Sequence, residues 1–144
     1  ELKEALEDSG FKNIEKLKEA AGFLILESDA HAKKRDAKIY GEIAWSLENI
    51  MSGIKLNDAI DEIKVRCIKE TGIKEDGIEV VNVICYKDLP LSDPKVRLSK
   101  PHALSASFTV SLIEHLKDLS VAGVALLAAV DLSGNLSAFL VRKF

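Results

Sequence analysis

Stretches with helical spacing alternate along this chain with short, strand-like runs, and that alternation is the main constraint on its fold. The clearest helix opens at Asn57, continues through an apolar stripe and ends at Gly72, a typical C-terminal stop. The β-branched residues 78–85 then predict a strand. Residues 121–130 and 136–142 flank the turn sequence LSGN, which is typical of a hairpin. We therefore predict an α/β fold, with a mixed sheet of about five strands and helices packed on it.

The other runs fit the same alternation. Residues 22–27 (GFLILE) are almost continuously apolar, which predicts a buried strand, and Ser28 after them is a typical helix N-cap. The alternating residues 38–46 predict another strand. Apolar residues at helical spacing predict helices over residues 1–8, 13–19 and 104–116.

Composition limits the class of protein. The chain has 144 residues, of which 47% are hydrophobic, and this predicts one domain over residues 1–144 with one proper core. Its net charge of −3 gives no general attraction for nucleic acid or anionic lipid. Two cysteines favour a reducing compartment, and the acidic start ELKEALEDSG is unlike a signal peptide. Residues 121–130 are about half of what a membrane span needs, so we expect a cytoplasmic protein.

Chemically active residues are sparse. Neither a phosphate-binding glycine loop nor metal-ligand spacing occurs, so we predict no cofactor. We interpret His31 and His115 as solvated, and Cys67 and Cys85 as small core residues. His102 stands out because it ends a proline-containing loop and directly precedes a helix, a place that suits a site residue. Local hydrogen bonding is the alternative role for His102, and N-capping is the default role for the serines that follow it, namely Ser105, Ser107 and Ser111.

Several blocks resemble the β-ketoacyl-acyl carrier protein synthases. Residues 19–42 (EAAGFLILESDAHAKKRDAKIYGE) are similar to that family's EGAGxLVLExLEHAxxRGAxIYAE. Residues 68–82 (IKETGIKEDGIEVVN) and 102–107 (HALSAS) resemble the later ADAGI…IN and HTLGAS segments, and the end GNLSAFLVRKF resembles the closing strand. The resemblance implies a thiolase-type fold, of which this chain corresponds only to the second half.

The resemblance also implies lost catalytic residues. The family's nucleophilic cysteine lies in the first half, so it has no counterpart here. Ile84 occupies the place of the first catalytic histidine, Arg97 that of a lysine, and Pro101 that of the glycine before the second histidine. His102 keeps the second histidine. The family's glycine-rich loop keeps its asparagine as Asn135 but loses its phenylalanine and most of its glycines. Together these departures imply that the condensation machinery is gone.

We therefore predict a non-catalytic ketosynthase-like subunit that pairs with an active condensing enzyme in fatty acid or polyketide-type biosynthesis. A lone half would expose an apolar layer, so we expect a partner chain or self-association, facing the loop over residues 89–101 and the helix after it. Two alternatives stay open: a split synthase to which His102 contributes, and a structural component of an assembly. An acyl carrier protein is acidic, and the compact basic cluster that could contact it is Lys33, Lys34 and Arg35.

Overall fold

The computed structural model describes residues 21–50, 55–85, 93–99, 107–130 and 135–144. Helices and strands alternate along most of these residues, as expected of an α/β protein, but their order differs in part from the predicted one. They are α1 (Asp29–Lys34), β1 (Gly41–Ile50), α2 (Leu56–Thr71), a 3₁₀ turn (Glu75–Gly77), β2 (Val80–Ile84), β3 (Val96–Ser99), α3 (Ser107–Asp118), β4 (Val124–Val130) and β5 (Leu136–Lys143).

The five strands form one mixed sheet in the order β1-β5-β4-β2-β3. β2 is parallel to both β3 and β4, whereas β5 is antiparallel to β4 and to β1. The predicted mixed five-stranded α/β sheet is therefore confirmed. The close pairing of β4 with β5 fits the hairpin prediction, although the turn between them, residues 131–134, lies outside the described residues.

Helix α2 covers one face of the sheet. Its apolar stripe includes Ile60, Ile63 and Cys67, which are buried against β2, β4 and β5. The helix begins at Leu56, and Lys55 caps it without a side-chain hydrogen bond, so it starts slightly before the predicted Asn57. Gly72 ends it as predicted, with φ of 72°, a left-handed conformation that glycine adopts at little cost.

Helix α3 covers the opposite face. Leu112 of this helix and Leu119 just after it are buried against alternate residues of β4, Ala125 and Leu127. The Phe108 ring also lies near the Phe139 ring of β5, with centroids 5.1 Å apart. Because both faces are covered, the central strand β4 is buried over most of its length, which explains its almost continuous apolar sequence.

One predicted strand is wrong. Residues 22–27 belong to no strand, and their apolar side chains are exposed rather than buried. The exposed fractions are 90% for Phe23, 41% for Leu24, 83% for Ile25 and 72% for Leu26. The fifth strand is instead β3, which lies inside the segment predicted to be an irregular loop. The prediction of a strand here rests on hydrophobicity, which indicates a need for burial but does not supply a neighbouring strand.

Other expectations fall outside what is described, or shift slightly. The predicted helices over residues 1–8 and 13–19 lie outside the described residues, as does most of the proline loop. Ser28 does cap α1, since its side chain accepts a hydrogen bond from the His31 amide. Among the described residues, no helix is both long and apolar enough to cross a membrane.

Candidate functional site

The carboxyl ends of the parallel strands meet at one edge of the sheet, where ligands commonly bind in open α/β folds. Ile84 at the end of β2 pairs with Ser99 on one side and with Ala129 of β4 on the other. Asn135 lies at the same edge, because it directly precedes Leu136, whose pairing partner is Val130. The sheet therefore brings together two of the positions that the resemblance singles out, Ile84 and Asn135.

The chemistry at this edge is weak. The Ile84 side chain is apolar and buried, so it neither donates a hydrogen bond nor transfers a proton. Arg97 sits in register with Asn82, two positions back from the edge; it is exposed and forms no ion pair with any residue in the described part of the chain. His102 and Pro101, the other predicted site positions, lie outside the described residues.

A buried polar chain runs behind this edge. The Ser99 hydroxyl donates to Asn82 Oδ1 at 2.7 Å, and Asn82 Nδ2 donates to the Ser111 hydroxyl at 3.2 Å. His115 Nδ1 in turn donates to the Ser111 carbonyl at 2.7 Å. Asn82, Ser99 and Ser111 thus connect β2, β3 and α3 through the interior.

The hydrogen bonds of this polar chain hold elements together and do not activate a nucleophile. A serine becomes nucleophilic when a base accepts its proton, but the His115 nitrogen that faces Ser111 is already committed as a donor to a carbonyl. No buried polar side-chain atom lacks a partner in the part of the chain that the structure describes. The sequence does not predict this cluster, because its pattern indicates capping for Ser111 and a solvated position for His115. One signal was present, since Asn82 is the single polar residue within the apolar strand VVNVI.

The two cysteines are core residues, as predicted. Cys67 on α2 and Cys85 just after β2 are both buried and unbridged. Burial raises the pKa of the Cys67 thiol to about 11, so it stays protonated near neutral pH. A nucleophilic cysteine needs the opposite environment, with access to substrate and a lowered thiol pKa. Neither residue is placed as a nucleophile.

The basic cluster is largely paired within its own segment. Lys33 Nζ donates to Asp29 Oδ2 at 2.8 Å on the surface of α1. Arg35 Nε donates to Glu27 Oε2 at 2.9 Å, and His31 also contacts that carboxylate. The guanidinium of Arg35, which bonds Glu27 through two nitrogens, is the main reason that the Glu27 pKa falls from 4.5 to about 2.

Lys34 differs from its two neighbours, because it has no hydrogen-bonding or ion-pair partner among the residues described. His31, predicted to be solvated, is indeed exposed, but its ring nitrogen is engaged by Glu27. The described residues also contain no cluster of three or more histidine, cysteine or acidic side chains arranged to hold a metal ion.

Comparison with solved structures shows which known folds this chain resembles. The chain is similar to the Acat5 thiolase from Ascaris suum, crystallised with coenzyme A, with a TM-score of 0.60 and 16% sequence identity over 81% of this chain. It is also similar to 3-oxoacyl-[acyl-carrier-protein] synthase III from Aquifex aeolicus, with a TM-score of 0.51 and 13% identity over 74% of this chain. The fold is thiolase-like.

This chain matches only part of each solved structure. This chain covers 34% of the Ascaris thiolase and 46% of the Aquifex synthase, so more than half of each solved chain has no counterpart here. No protein-family model matches the sequence. No curated protein sequence matches it significantly.

Proposed function

We propose that this chain is a non-catalytic, ketosynthase-like subunit that pairs with an active condensing enzyme in fatty acid or polyketide-type biosynthesis. Two observations of different kinds support the proposal. The fold is thiolase-like, and the chain spans less than half of the solved chains that it matches. The sequence blocks that resemble β-ketoacyl synthases occur along most of the chain.

The position of Ile84 is the single observation that best supports a non-catalytic role. Ile84 ends β2 at the carboxyl edge of the parallel strands, where the resemblance puts a catalytic histidine, and its side chain is buried hydrocarbon. Removing one hydrogen-bond donor from an oxyanion site typically lowers the rate by ~10²–10³. A condensing site built around Ile84 would lack that donor from the start.

The nucleophile would have to come from the partner. Cys67 and Cys85 are buried, and the high pKa of Cys67, about 11, keeps its thiol protonated. In the proposed complex the active enzyme supplies its own cysteine, and this chain stabilises or shapes the acyl pocket beside it. Neither cysteine of this chain would then react with an acyl thioester.

Carrier contact is a further part of the proposal. An acidic acyl carrier protein would meet the cluster of Lys33, Lys34 and Arg35 on and just after α1. Two of these cations already neutralise Asp29 and Glu27, so Lys34 would supply the unpaired charge. Lys34→Glu should therefore weaken carrier binding more than Lys33→Glu, and the binding should weaken further as salt rises.

Capture from the native lysate tests the pairing. We expect the tagged chain to recover a cysteine-bearing condensing enzyme in a one-to-one ratio, with the mass of the complex confirmed by light scattering. Condensation by that complex should disappear when the enzyme's cysteine is replaced by alanine. A chain that remains monomeric and recovers no condensing enzyme would contradict the proposal.

His102→Ala separates this proposal from the split-enzyme alternative. If the chain is non-catalytic, the complex should retain its condensation rate within about twofold, since the partner holds the whole site. A loss on the scale of a missing oxyanion donor, ~10²–10³, would instead show that His102 belongs to a divided active site.

A further inference from the structure

As a strand, residues 22–27 would present apolar side chains on both faces. Successive side chains of a strand point in opposite directions, so Phe23 and Ile25 would share one face while Leu24 and Leu26 would share the other. All four are exposed, and Phe23 is 90% exposed. An exposed apolar run of this kind is unfavourable in water and marks an interaction site.

Its backbone is also unpaired with respect to the described residues. Within the described part of the chain, no main-chain hydrogen bond joins residues 22–26 to any other segment. A strand with free N–H and C=O groups can add to the edge of another sheet. Its backbone then forms hydrogen bonds with the edge strand, and the layers packed on that sheet cover its side chains. An apolar groove would cover one side and leave the backbone unpaired.

Both ends of the segment are held in place. At Gly22, an added Cβ would lie 2.6 Å from Thr109 Cγ2, so the backbone lies directly against α3 and leaves no room for a side chain. At the other end, the Glu27 carboxylate is bonded by Arg35 and His31. The segment is thus presented between two fixed points, which reduces the entropy lost on binding.

This chain's own sheet is a poor partner for the segment. The sheet has two edges, β1 and β3. β1 exposes Glu48 and Ser46 on one face, and β3 is four residues long with the exposed Arg97 in it. A strand that is apolar on both sides needs a sheet whose two faces are covered by other layers. Among its described residues, a second copy of this chain offers no such edge.

We propose that residues 22–27 are a strand contributed to the sheet of a second polypeptide, one that carries the remaining part of a thiolase-type fold. This inference rests on the proposed function and names the surface through which the pairing occurs. The comparison of lengths supports this choice of occupant, because more than half of each solved neighbour has no counterpart in this sequence. That remainder would provide the α/β layers that cover both faces of the added strand.

Hydrogen exchange of the free chain provides the first test. We expect the amides of residues 23–26 to exchange rapidly while those of β2 and β4 are protected, because only the latter are hydrogen-bonded within the sheet. Strong protection of residues 23–26 in the free monomer would show that the chain already pairs them, and would overturn the inference.

Two substitutions matched in exposure provide the second test, using the condensing enzyme recovered with the tagged wild-type chain. Ile25 and Val121 are each 83% exposed, so Asp at either place should leave folding intact, which thermal unfolding checks. We expect Ile25→Asp to weaken binding of that enzyme by at least about tenfold and Val121→Asp by less than twofold. In the wild-type complex, amides 23–26 should become protected from exchange.

The outcomes separate the two proposals. If the enzyme binds and Ile25→Asp binds as tightly as the wild type, with amides 23–26 still exchanging rapidly, the pairing stands and the inference is wrong. If the wild-type chain recovers no condensing enzyme, the proposed function is contradicted. The inference is then contradicted too, because the second polypeptide that it requires is missing.

Discussion

Two segments differ from prediction in opposite ways. Residues 22–27 are predicted to be a strand and form none, whereas strand β3 (Val96–Ser99) lies in a segment predicted to be a loop. The first segment carries four consecutive apolar residues, yet it is exposed and pairs with no strand that the structure describes. The second, VRLS, includes a charged residue and lies between prolines, but it pairs with β2 over four residues. Apolar composition therefore measures how strongly a segment needs burial, while strand formation depends on a neighbouring backbone.

The two segments differ in what lies beside them. β3 is held at its start by Asp93, which bonds Lys64 of α2 at 2.7 Å, and at its end by Ser99, which bonds Asn82. Between these points its backbone pairs with β2. Residues 22–27 are also anchored at both ends, but Gly22 lies against helix α3, and no strand that the structure describes pairs with the segment.

The largest effect is expected for a charge placed in the core at β3. Val96 is buried in the cluster beneath α2, so Val96→Asp should lower the free energy of unfolding by about 3 kcal/mol. Ile25→Asp in the exposed segment is the control, with a change within about 0.5 kcal/mol. Urea unfolding of the isolated chain measures both. Similar losses for the two variants would mean that residues 22–27 are buried in solution.

Breaking the buried polar chain should have the next largest effect. Asn82→Ala leaves the Ser99 and Ser111 hydroxyls without their buried partner, which should cost about 2 kcal/mol. Ser99→Ala should cost about 1 kcal/mol because it removes one of the two bonds. If the two residues act through their shared hydrogen bond, the double variant should lose less than the sum of the single ones. Additive losses would contradict that coupling.

The ion pair before β3 should contribute less. Asp93→Asn should lower the free energy of unfolding by about 1 kcal/mol, because Lys64 loses its principal charged partner. The hydrogen bond from Lys64 is the main reason that the Asp93 pKa lies below its usual 3.8. Unfolding experiments in urea at several pH values measure the contribution.

The sign of that pH dependence follows from the direction of each shift. Since the Asp93 pKa is lower in the folded state, its stabilisation is present above the ordinary carboxyl value and is lost as pH falls below it, through the folded value. Asp93 raises the Lys64 pKa above 10.5, so that contribution is complete below 10.5 and is lost as pH rises through the folded value. If the Asp93→Asn variant lost stability at low pH as steeply as the wild type, this assignment would be contradicted.

The smallest effect is expected at the anchored end of residues 22–27. Arg35→Met should raise the Glu27 pKa from about 2 toward 4.5, because the guanidinium that favours the carboxylate is removed. Lys33→Met is the matched control, since Lys33 pairs with Asp29 instead. NMR titration of the carboxyl groups checks both variants, and stability should hardly change. A Glu27 that titrates near 4.5 in the wild type would show that this anchor is absent in solution.

Much of the fold could be predicted from the sequence by itself. Helical periodicity and Gly72 defined α2, and the β-branched run 78–85 defined β2, because these patterns reflect local geometry and burial on one side. The apolar pair of strands near the C-terminus was predictable for the same reason. The burial of Cys67 and Cys85 followed from their positions within those patterns.

The tertiary structure decided which segments pair and which polar groups meet. Asn82, Ser99 and Ser111 are far apart in the chain, and only the parallel register of β2 with β3 and the placement of α3 bring them together. The same holds for residues 22–27, whose sequence determines that they need apolar cover. Whether a strand edge lies beside them depends on contacts between distant segments, and within the described chain that edge is absent.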